Sequence, residues 1–366
     1  MHVTSVHVWS DTRIFHRMCR SLAGRGWQVL LVAPGNESRR VESVDVVGIR
    51  TPGWRVLRAL IGGYRAVSTA RKLDGDIYHL HDAELLLWAW LLRRTGRPVI
   101  YDMHEFVPAA ISTRRWIPSF ARRLLAASWR GFEKLALRDT PVVFAETSYS
   151  RHYPWIRRSV VVLNLPDVQA LISLNPAKAT HNRIVYVGAV SASRGSVVTL
   201  KAIRILQDRG VDVEFDCVGR ASPEHGKLLE QLASQWSLKG VRFHGYKPPV
   251  DAWRIASGAA AGLAVLEPAP NYVESYPTKI FEYMALRLPV IVSDFPLYRD
   301  VVQGNDCGTC VAPGDAVALA DAIGRLVADP RSASRLGDNG RNAVLEKYRW
   351  EPQLEVLESF YDALTR

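Results

Sequence analysis

Short apolar runs alternate with amphipathic segments along almost the whole chain. In the first half, strand-like runs such as WQVLLVAP and PVIYDMHE are separated by segments whose apolar residues recur every three or four positions, the spacing of a helix with one buried face. Strands that are apolar throughout are typical of a parallel sheet covered by helices on both faces. The pattern therefore predicts a doubly wound, mostly parallel α/β sheet.

A second series of the same kind begins at RIVYVGAV and continues through PVIVSD, after a looser stretch at about 166–182. We therefore predict two Rossmann-like domains, over residues 1–168 and 169–349, followed by an amphipathic helix over 350–366. Ligands of such folds bind outside the carboxyl ends of the strands, and two facing domains would place a site in the cleft between them.

The positive charge is concentrated in the first half of the chain. The sequence carries 47 basic and 36 acidic residues, and residues 1–165 hold 25 of the basic and 13 of the acidic ones. Such asymmetry is typical of a surface that meets an anionic partner, either a membrane or a nucleic acid. Two segments, 54–72 and 114–134, mix arginines with aromatic and aliphatic residues, which favours contact with an anionic membrane.

The expected cellular location of the protein follows from its apolar segments and its cysteines. The longest apolar run, LLLWAWLL, is much shorter than the roughly 20 residues of a membrane span, and no signal peptide is evident. Four cysteines without a disulfide framework suit a reducing compartment. We expect a cytoplasmic protein that is peripheral on the inner face of the cell membrane.

The stretch ESYPTKIFEYMALRLPVIVSD, residues 274–294, carries the most specific chemistry. Pro277 suits the first turn of a helix, which Ser275 or Thr278 could cap, and the free N–H groups of a helix start bind anions. Lys279 is a cation in the first turn, where it opposes the helix dipole unless it answers a bound phosphate. A capped helix with a solvated lysine is the alternative that spacing alone leaves open.

Two glutamates frame this helix start. Glu274 lies just before it and Glu282 one turn inside it, and both can accept hydrogen bonds from hydroxyl groups. A phosphate flanked by polyols is what a nucleotide-sugar presents.

This stretch resembles the Glu-x7-Glu signature of family 4 retaining glycosyltransferases, which have the two-domain GT-B fold. The segments VYVGAVSASRG, DCGTCVAPGDAVALADAI, YHLHDAELL and VIYDMHEFVP resemble further motifs of the family, in a bacterial subgroup associated with surface polysaccharide assembly. The resemblance covers nearly the whole chain. It implies two Rossmann-like domains facing across a cleft, with the final helix crossing back to the first domain.

The resemblance also implies a role for each matching residue. Catalytic roles fall to His104, near the reacting sugar, and to Glu274, on the hydroxyls of the donor sugar. Donor-binding roles fall to Gly188, Arg194, Tyr276, Pro277, Thr278, Lys279 and Glu282, of which Glu282 would hold the ribose and the segment Tyr276 to Lys279 the diphosphate. The acceptor side would be lined by Asp11, Arg13, Asp82 and Glu105.

Two positions depart from the family pattern. Ala189 stands where the family has an arginine after the glycine, so we expect Lys279 to supply the missing cation. Arg287 stands where the family often has a glycine ending the helix, and because a left-handed conformation is costly for arginine, we expect a different helix end.

The function expected is transfer of a sugar, with retention and without a metal or other cofactor, from a UDP- or GDP-sugar to a glycan or lipid-linked acceptor. A nucleotide-sugar epimerase of the same fold is one alternative, and a basic nucleic-acid-binding protein is another, although no groove-reading motif accompanies the arginines. His79, His81 and Asp82 could bind a metal ion, but no set of partner ligands is evident, so we expect them to line the site or the core.

Overall fold

The computed structural model describes residues 1–113, 118–174 and 180–365. The chain divides into two compact units. The first comprises Met1–Asn164 and Trp350–Arg366, and the second comprises Leu165–Arg349.

The first unit contains an eight-stranded sheet. Its strands are β1 (His2–Val3), β2 (Val29–Pro34), β3 (Arg39–Val41), β4 (Val44–Ile49), β5 (Tyr78–Leu80), β6 (Val99–Met103), β7 (Val142–Phe144) and β8 (Ser159–Val161). They lie in the order β3-β4-β2-β1-β5-β6-β7-β8, parallel except for the β3–β4 pair. The order runs outward from β1 in both directions, so the topological switch point lies between β1 and β5, where such folds bind ligands.

The helices of the first unit cover its sheet. They are α1 (Arg20–Gly24), α2 (Arg55–Leu57), α3 (Gly63–Lys72), α4 (Ala89–Arg93), α5 (Val107–Thr113), α6 (Ser119–Ala136) and α7 (Tyr149–His152), with π-helical turns at Thr12–Cys19 and Arg58–Gly62 and a 3₁₀ turn at Ala83–Leu87. The basic segment 114–134 supplies most of α6, and residues 114–117 of that segment lie outside the described residues.

The first strand is much shorter than its alternating sequence suggests. The run HVTSVHVW predicts about eight residues, but β1 ends at Val3. From Thr4 to His7 the backbone turns around the carboxylate of Asp82, which accepts hydrogen bonds from the Ser5 and Val6 N–H groups at 2.6 and 3.1 Å. In a longer strand these two N–H groups would have donated to the neighbouring strands, but here they donate to the buried carboxylate of Asp82.

The second unit contains a six-stranded, fully parallel sheet in the order β11-β10-β9-β12-β13-β14. Its strands are β9 (Thr180–Val187), β10 (Glu214–Val218), β11 (Val241–Gly245), β12 (Ala259–Ala264), β13 (Val290–Ser293) and β14 (Gly308–Val311). Counted from β9 this is the 3-2-1-4-5-6 order of dinucleotide-binding folds, which places the switch point between β9 and β12.

Its helices are α8 (Val168–Ile172), α9 (Ser196–Asp208), α10 (Pro223–Gln235), α11 (Pro249–Ala256), α12 (Pro270–Val273), α13 (Thr278–Ala285), α14 (Pro296–Val302), α15 (Ala316–Ala328) and α16 (Pro330–Lys347), with a 3₁₀ turn at Ala192–Arg194. The last helix, α17 (Trp350–Thr365), packs on the first unit through the buried side chains of Leu357 and Tyr361. The indole N–H of Trp350 donates to the Ser21 hydroxyl over 2.9 Å.

Each sheet packs its own apolar core, so the prediction of two doubly wound α/β units is confirmed. No helix in the described part of the chain combines the length and the apolar character needed to cross a membrane.

Candidate functional site

The switch point of the second unit is built around two glycines. Gly188 directly follows β9 and has φ +134°, and Gly219 follows β10 with φ +149°. A Cβ atom on Gly219 would lie 1.7 Å from the Gly188 carbonyl oxygen, and one on Gly188 would lie 3.0 Å from the Lys279 ammonium nitrogen. Both positions therefore require glycine. Without a Cβ atom, the turn at Gly219 can approach the Gly188 backbone, and the Lys279 side chain can approach Gly188.

Lys279 is buried rather than solvated. Its side chain comes from the second residue of α13, it is only 6% exposed, and its Nζ lies 3.9 Å from the centroid of the Tyr186 ring. Among the described residues, no hydrogen-bond partner reaches this nitrogen. Burial, followed by the nearby charge of Arg194, lowers the pKa of Lys279 to about 7. The solvated alternative is therefore wrong.

The start of α13 differs in detail from the expectation. The helix begins at Thr278, and Pro277 occupies the cap position instead of the first turn. Neither predicted side chain caps the helix, because the Ser275 hydroxyl donates to the carbonyl of Asn271. Proline has no N–H to offer, so the first amides that a ligand could reach are those of Thr278 and Lys279.

The two glutamates lie on either side of this helix start. Glu274 is exposed and ends the short helix α12, whereas Glu282 is half-buried within α13. Between them the ring of Tyr276 packs edge-on against Phe281, with 5.5 Å between ring centroids.

Arg194 supplies a second cation at the same switch point. It is half-buried, its guanidinium lies 5.5 Å from the centroid of the Tyr272 ring, and its charge opposes the rise that burial causes in the pKa of the Tyr186 hydroxyl. The chain turns sharply after it at Gly195, where a Cβ atom would lie 2.0 Å from the carbonyl oxygen of Val265. Arg194 and Lys279 thus share Tyr186 as a common neighbour.

The helix end at Arg287 corrects the sequence expectation. Arg287 does adopt the left-handed conformation, with φ +61°, that a glycine would adopt without strain. Its guanidinium pairs with Asp338 on α16. A Cβ atom on Gly337 would lie 2.1 Å from the Arg287 carbonyl oxygen, so the two helices meet closely at this turn.

In the first unit, Asp102 on β6 is the hub of a buried polar network. Arg13 donates to both carboxylate oxygens, over 3.0 and 2.7 Å, and also to the carbonyl of Val162 over 2.9 Å. His104 and His81 approach the same carboxylate at 2.6 and 3.0 Å. Burial alone would raise the pKa of Asp102, but the Arg13 charge and the histidine hydrogen bonds outweigh it and hold that pKa well below the ordinary value.

A second carboxylate–histidine pair lies beside the first. Asp82, two residues after the end of β5, is buried and accepts a hydrogen bond from the Thr4 hydroxyl over 2.7 Å, and its other oxygen lies 2.7 Å from Nδ1 of His7. The His7 ring stands 5.6 Å from that of His104, centroid to centroid. Burial would raise the pKa of Asp82, yet the hydrogen bonds and charge of its partners, His7 foremost, lower it to about 2.

The predicted acceptor-side residues therefore divide into two groups. Arg13 and Asp82 are buried, and their charged ends bond within the unit: Arg13 holds Asp102, and Asp82 holds His7. Asp11 caps the helical segment after it by accepting from the N–H groups of Arg13 and Ile14. Glu105 is exposed immediately after His104.

The histidines His79 and His81 form a three-ring cluster with His2, a partner that the sequence did not reveal. Burial lowers the pKa of all three, so they are neutral and each could offer a ring nitrogen to a metal ion. Their rings are nearly parallel, at 11–30° with 4.7–5.1 Å between centroids. Since lone pairs lie in the ring planes, stacked rings do not aim them at one point, and the cluster packs as part of the core.

A cavity of about 860 Å³ lies in the first unit at the opposite end of the sheet, lined by Trp27, Gly75 and Tyr361 among others. The carboxylate–histidine pairs lie at the carboxyl ends of the strands instead. We therefore place the candidate site of the first unit at the carboxyl ends of its strands, where these titratable side chains lie.

Sequence reasoning missed three members of these sites, Asp102, Tyr186 and His7. Tyr186 reads as one more apolar position of a buried strand, and its place beneath Lys279 depends on two segments far apart in the chain. His7 lies in a segment that reads as strand, and only the turn at Thr4 brings it onto Asp82.

Comparison with known proteins gives two family matches. Residues 12–153 match the model of Glycosyltransferase Family 4, and residues 169–343 match that of Glycosyl transferases group 1. The D-inositol 3-phosphate glycosyltransferase of Xylanimonas cellulosilytica is 29% identical over 389 residues, covering 95% of this chain and 90% of that protein.

Solved structures share the fold. The sucrose-phosphate synthase of Thermosynechococcus elongatus superposes with a TM-score of 0.75 at 19% identity, covering 94% of this chain and 91% of that one. Anabaena HepE, in complex with UDP and glucose, superposes with a TM-score of 0.69 at 15% identity, covering 94% and 95%. At this level of identity the likeness shows the fold, which is GT-B.

Proposed function

Because the chain belongs to the family 4 glycosyltransferases, we propose that this enzyme moves a sugar from a nucleotide-sugar to a glycan or lipid-linked glycan acceptor. The proposal includes retention of the anomeric configuration, catalysis without a metal ion or other cofactor, and a role in building bacterial surface polysaccharide.

One observation carries the donor half of this proposal: two cations converge beside a glycine turn at the switch point of the second unit. Arg194 and Lys279 both neighbour Tyr186, and Lys279 has no anionic partner bonded to it among the described residues. A buried ammonium without a partner is costly, and a diphosphate would offset that cost. Gly188 leaves room for the phosphate oxygens beside it.

Two carboxylates suit the sugars on either side of such a diphosphate. Glu282, half-buried within α13, would accept hydrogen bonds from the ribose hydroxyls, and Glu274, exposed before it, from those of the transferred sugar. Tyr276, Pro277 and Thr278 form the turn that brings backbone N–H groups to the phosphates. Anabaena HepE forms a complex with UDP and glucose, which supports a UDP-sugar here, with GDP as the alternative nucleotide.

The charges account for bond cleavage without a metal ion. As the nucleoside diphosphate leaves, negative charge develops on its β-phosphate, and fixed donors aimed at that charge lower the barrier. Arg194 and Lys279 supply the positive charge that a divalent cation supplies in other enzymes. The sugar becomes cationic at the same time, and carboxylates or carbonyl dipoles near it stabilise this state.

In the first unit, His104 would contact the reacting sugar. Its Nε2 is fixed on Asp102, which Arg13 neutralises, so the ring has one defined orientation. The exposed Glu105 and the loop bearing Asp11 would face the acceptor. These roles rest on family resemblance combined with the observed geometry.

A membrane surface is the second partner proposed, with the protein cytoplasmic and peripheral on the inner leaflet. Over residues 54–64 the side chains of Trp54, Val56, Leu60, Ile61 and Tyr64 are exposed, Trp54 to 80%. Arginines and a lysine follow on α3, and the neighbouring Trp90 is exposed beneath Arg94 at 4.5 Å. Apolar side chains rimmed by cations suit an anionic bilayer surface.

The proposed function is tested with a panel of nucleotide-sugars. A ligand that binds only the native state raises the unfolding temperature, so UDP-glucose, UDP-galactose, UDP-N-acetylglucosamine and GDP-mannose are compared by thermal shift with free UDP and GDP. The one that stabilises the protein is then incubated with methyl glycosides, and products are identified by mass spectrometry and NMR.

A new glycosidic bond supports the proposal, and NMR reports its configuration. Conversion of the donor into an isomer without any acceptor would establish the epimerase alternative instead. Binding of duplex DNA with no response to any nucleotide-sugar would favour a nucleic-acid-binding protein.

A further inference from the structure

The two carboxylate–histidine pairs of the first unit are alike in construction but differ in charge. In each, a buried aspartate lies at or near the carboxyl end of a central strand and fixes one nitrogen of a partly exposed imidazole. Asp102 is neutralised by Arg13, whereas Asp82 has no cationic group bonded to it among the described residues except His7. Within the described part of the chain, His7 is therefore the one group bonded to Asp82 that can balance its negative charge.

The loop around Asp82 leaves His7 only one way to bond. One oxygen of Asp82 is occupied by the Thr4 hydroxyl and by the Ser5 and Val6 N–H groups, which leaves the other for Nδ1 of His7. The N–H of His7 itself donates to the Thr4 hydroxyl over 3.0 Å. With Nδ1 and the backbone both held, the orientation of the ring is fixed.

This fixed ring presents its other nitrogen outward. The side chain of His7 is 34% exposed, and within the described part of the chain no group bonds to its Nε2. The position is the switch point between β1 and β5, where doubly wound sheets bind ligands, and the ring adjoins that of His104 at 5.6 Å. A rigid polar atom aimed outward at this point is suited to touch a substrate.

We infer that His7 is an acceptor-binding residue, whose Nε2–H donates a hydrogen bond to an oxygen atom of the acceptor while Asp82 holds the ring. This inference rests on the proposed transfer reaction. It assigns a contact to a side chain that the family resemblance did not single out.

The surrounding charges favour the protonated ring that such a donor requires. Asp82 faces His7 from the end of β5, Glu105 and His104 from the segment after β6, and Asp11 from the same loop. Burial lowers the pKa of His7, but the hydrogen bond and charge of Asp82, with Asp11 and Glu105, outweigh burial and raise it above 6.5. Acceptor binding is therefore strongest below that pKa and weakens as the pH rises through it.

Two substitutions separate acceptor contact from a structural role. In His7→Gln the side-chain amide reaches the position of Nε2 but loses the fixed bond to Asp82, whereas in His7→Asn the amide can still bond to Asp82 but presents nothing at Nε2. Each is assayed at saturating UDP-glucose with methyl α-D-glucoside, methyl α-D-mannoside and methyl α-D-galactoside as acceptors. Release of UDP with water as the only acceptor is measured in parallel.

We expect His7→Asn to lower kcat/KM for the acceptor by about 10- to 100-fold, mostly through KM, the scale of one lost charge-assisted hydrogen bond. In His7→Gln we expect kcat/KM for the acceptor to stay within about fivefold of the wild-type value. The acceptor KM of this variant should no longer depend on pH, because glutamine does not titrate. In His7→Asn sugar transfer is expected to fall by a larger factor than UDP release to water, because only transfer uses the acceptor contact.

The reverse order, with Asn retaining more transfer than Gln, would show that His7 only supports Asp82 and would overturn the inference. Equal loss of UDP release to water and of sugar transfer would overturn it too. If the wild-type enzyme neither binds nor cleaves any nucleotide-sugar, the proposed function fails. A ¹⁵N-histidine NMR titration then decides on His7 alone, since an Nε2 signal that no methyl glycoside perturbs would reject the contact.

Discussion

The ammonium nitrogen of Lys279 lies 3.9 Å from the centre of the Tyr186 ring, in a buried position next to Gly188. The aromatic face attracts this cation, and among the described residues no group hydrogen-bonds to it. Because a ring compensates a desolvated charge only in part, the pKa of Lys279 falls to about 7. The geometry keeps a cation ready for an anion at the switch point of the second unit.

Replacing Lys279 by methionine should weaken the binding of UDP by roughly 10- to 100-fold, because one charge-assisted contact to the phosphates is lost while the apolar stem is kept. Isothermal titration calorimetry measures this directly. Lys201→Met, at an exposed position on α9 of the same unit, is the control and should bind as the wild type does. Unchanged affinity in Lys279→Met would remove this lysine from the donor site.

The same lysine predicts how donor binding depends on pH. In the free protein Lys279 loses its proton as the pH rises through about 7, and a bound diphosphate raises that pKa again. Binding therefore takes up a proton above pH 7, and the affinity for UDP should fall as the pH rises from 7 to 9. Calorimetry in buffers of different ionisation enthalpy detects the proton, and in Lys279→Met this proton uptake should vanish.

Gly188→Ala should damage both folding and donor binding. The left-handed φ of +134° is strained for alanine, and the new Cβ would lie 3.0 Å from the Lys279 ammonium, so we expect a loss of about 1–3 kcal/mol in the free energy of unfolding. Gly210→Ala is the matched control, with positive φ and no atom within 4 Å of the added Cβ. Equal losses in chemical denaturation would mean that backbone strain alone matters and that the contact with Lys279 does not.

Asp102→Asn should be among the most destabilising changes in the first unit. It leaves the buried charge of Arg13 uncompensated, which costs about 3–5 kcal/mol, whereas Asp321→Asn, which breaks an exposed pair with Arg209, should cost less than about 1 kcal/mol. Urea unfolding compares the two variants, and similar costs would contradict the view that Asp102 is the hub.

The depressed pKa of Asp102 also gives the sign of a pH effect. Its contribution to stability is fully present above the ordinary pKa of 3.8 and is lost as the pH falls through the lower folded-state value. The wild-type protein should therefore lose stability in this acid range more steeply than Asp102→Asn. Thermal unfolding between pH 5 and 2 measures the two slopes.

Contact with a membrane predicts sedimentation with anionic vesicles that falls as salt rises. The double variant Trp54→Ser and Ile61→Ser removes two exposed apolar side chains from the segment 54–64 and should reduce binding to vesicles of phosphatidylglycerol and phosphatidylcholine several-fold. Leu228→Ser with Val317→Ser, at exposed positions of the second unit, is the control. Absent or salt-insensitive binding of the wild-type protein would end the membrane proposal.

The sequence alone predicted features that depend on residues close together in the chain, and it failed for features that depend on residues far apart in the chain. Hydrophobic periodicity predicted two parallel α/β units because burial imposes its period on every strand and helix, and the spacing of Glu274 and Glu282 predicted their place around α13 because both lie within a dozen residues. Local patterns failed where a distant group overrode them. The first strand stops at Val3 because Asp82 takes the next backbone donors, and Arg287 keeps a left-handed turn that its own preference disfavours, with Asp338 bound to its side chain.

What the sequence by itself determined is the class of fold, the order of the elements and the residue types available at each strand end. Tertiary structure alone decided that Lys279 is buried on Tyr186, that Arg13 serves Asp102, and that His7 points outward beside His104. Each of these depends on bringing together segments separated by tens of residues. Periodicity records whether a side chain is buried, but it carries no information about which partner the side chain meets.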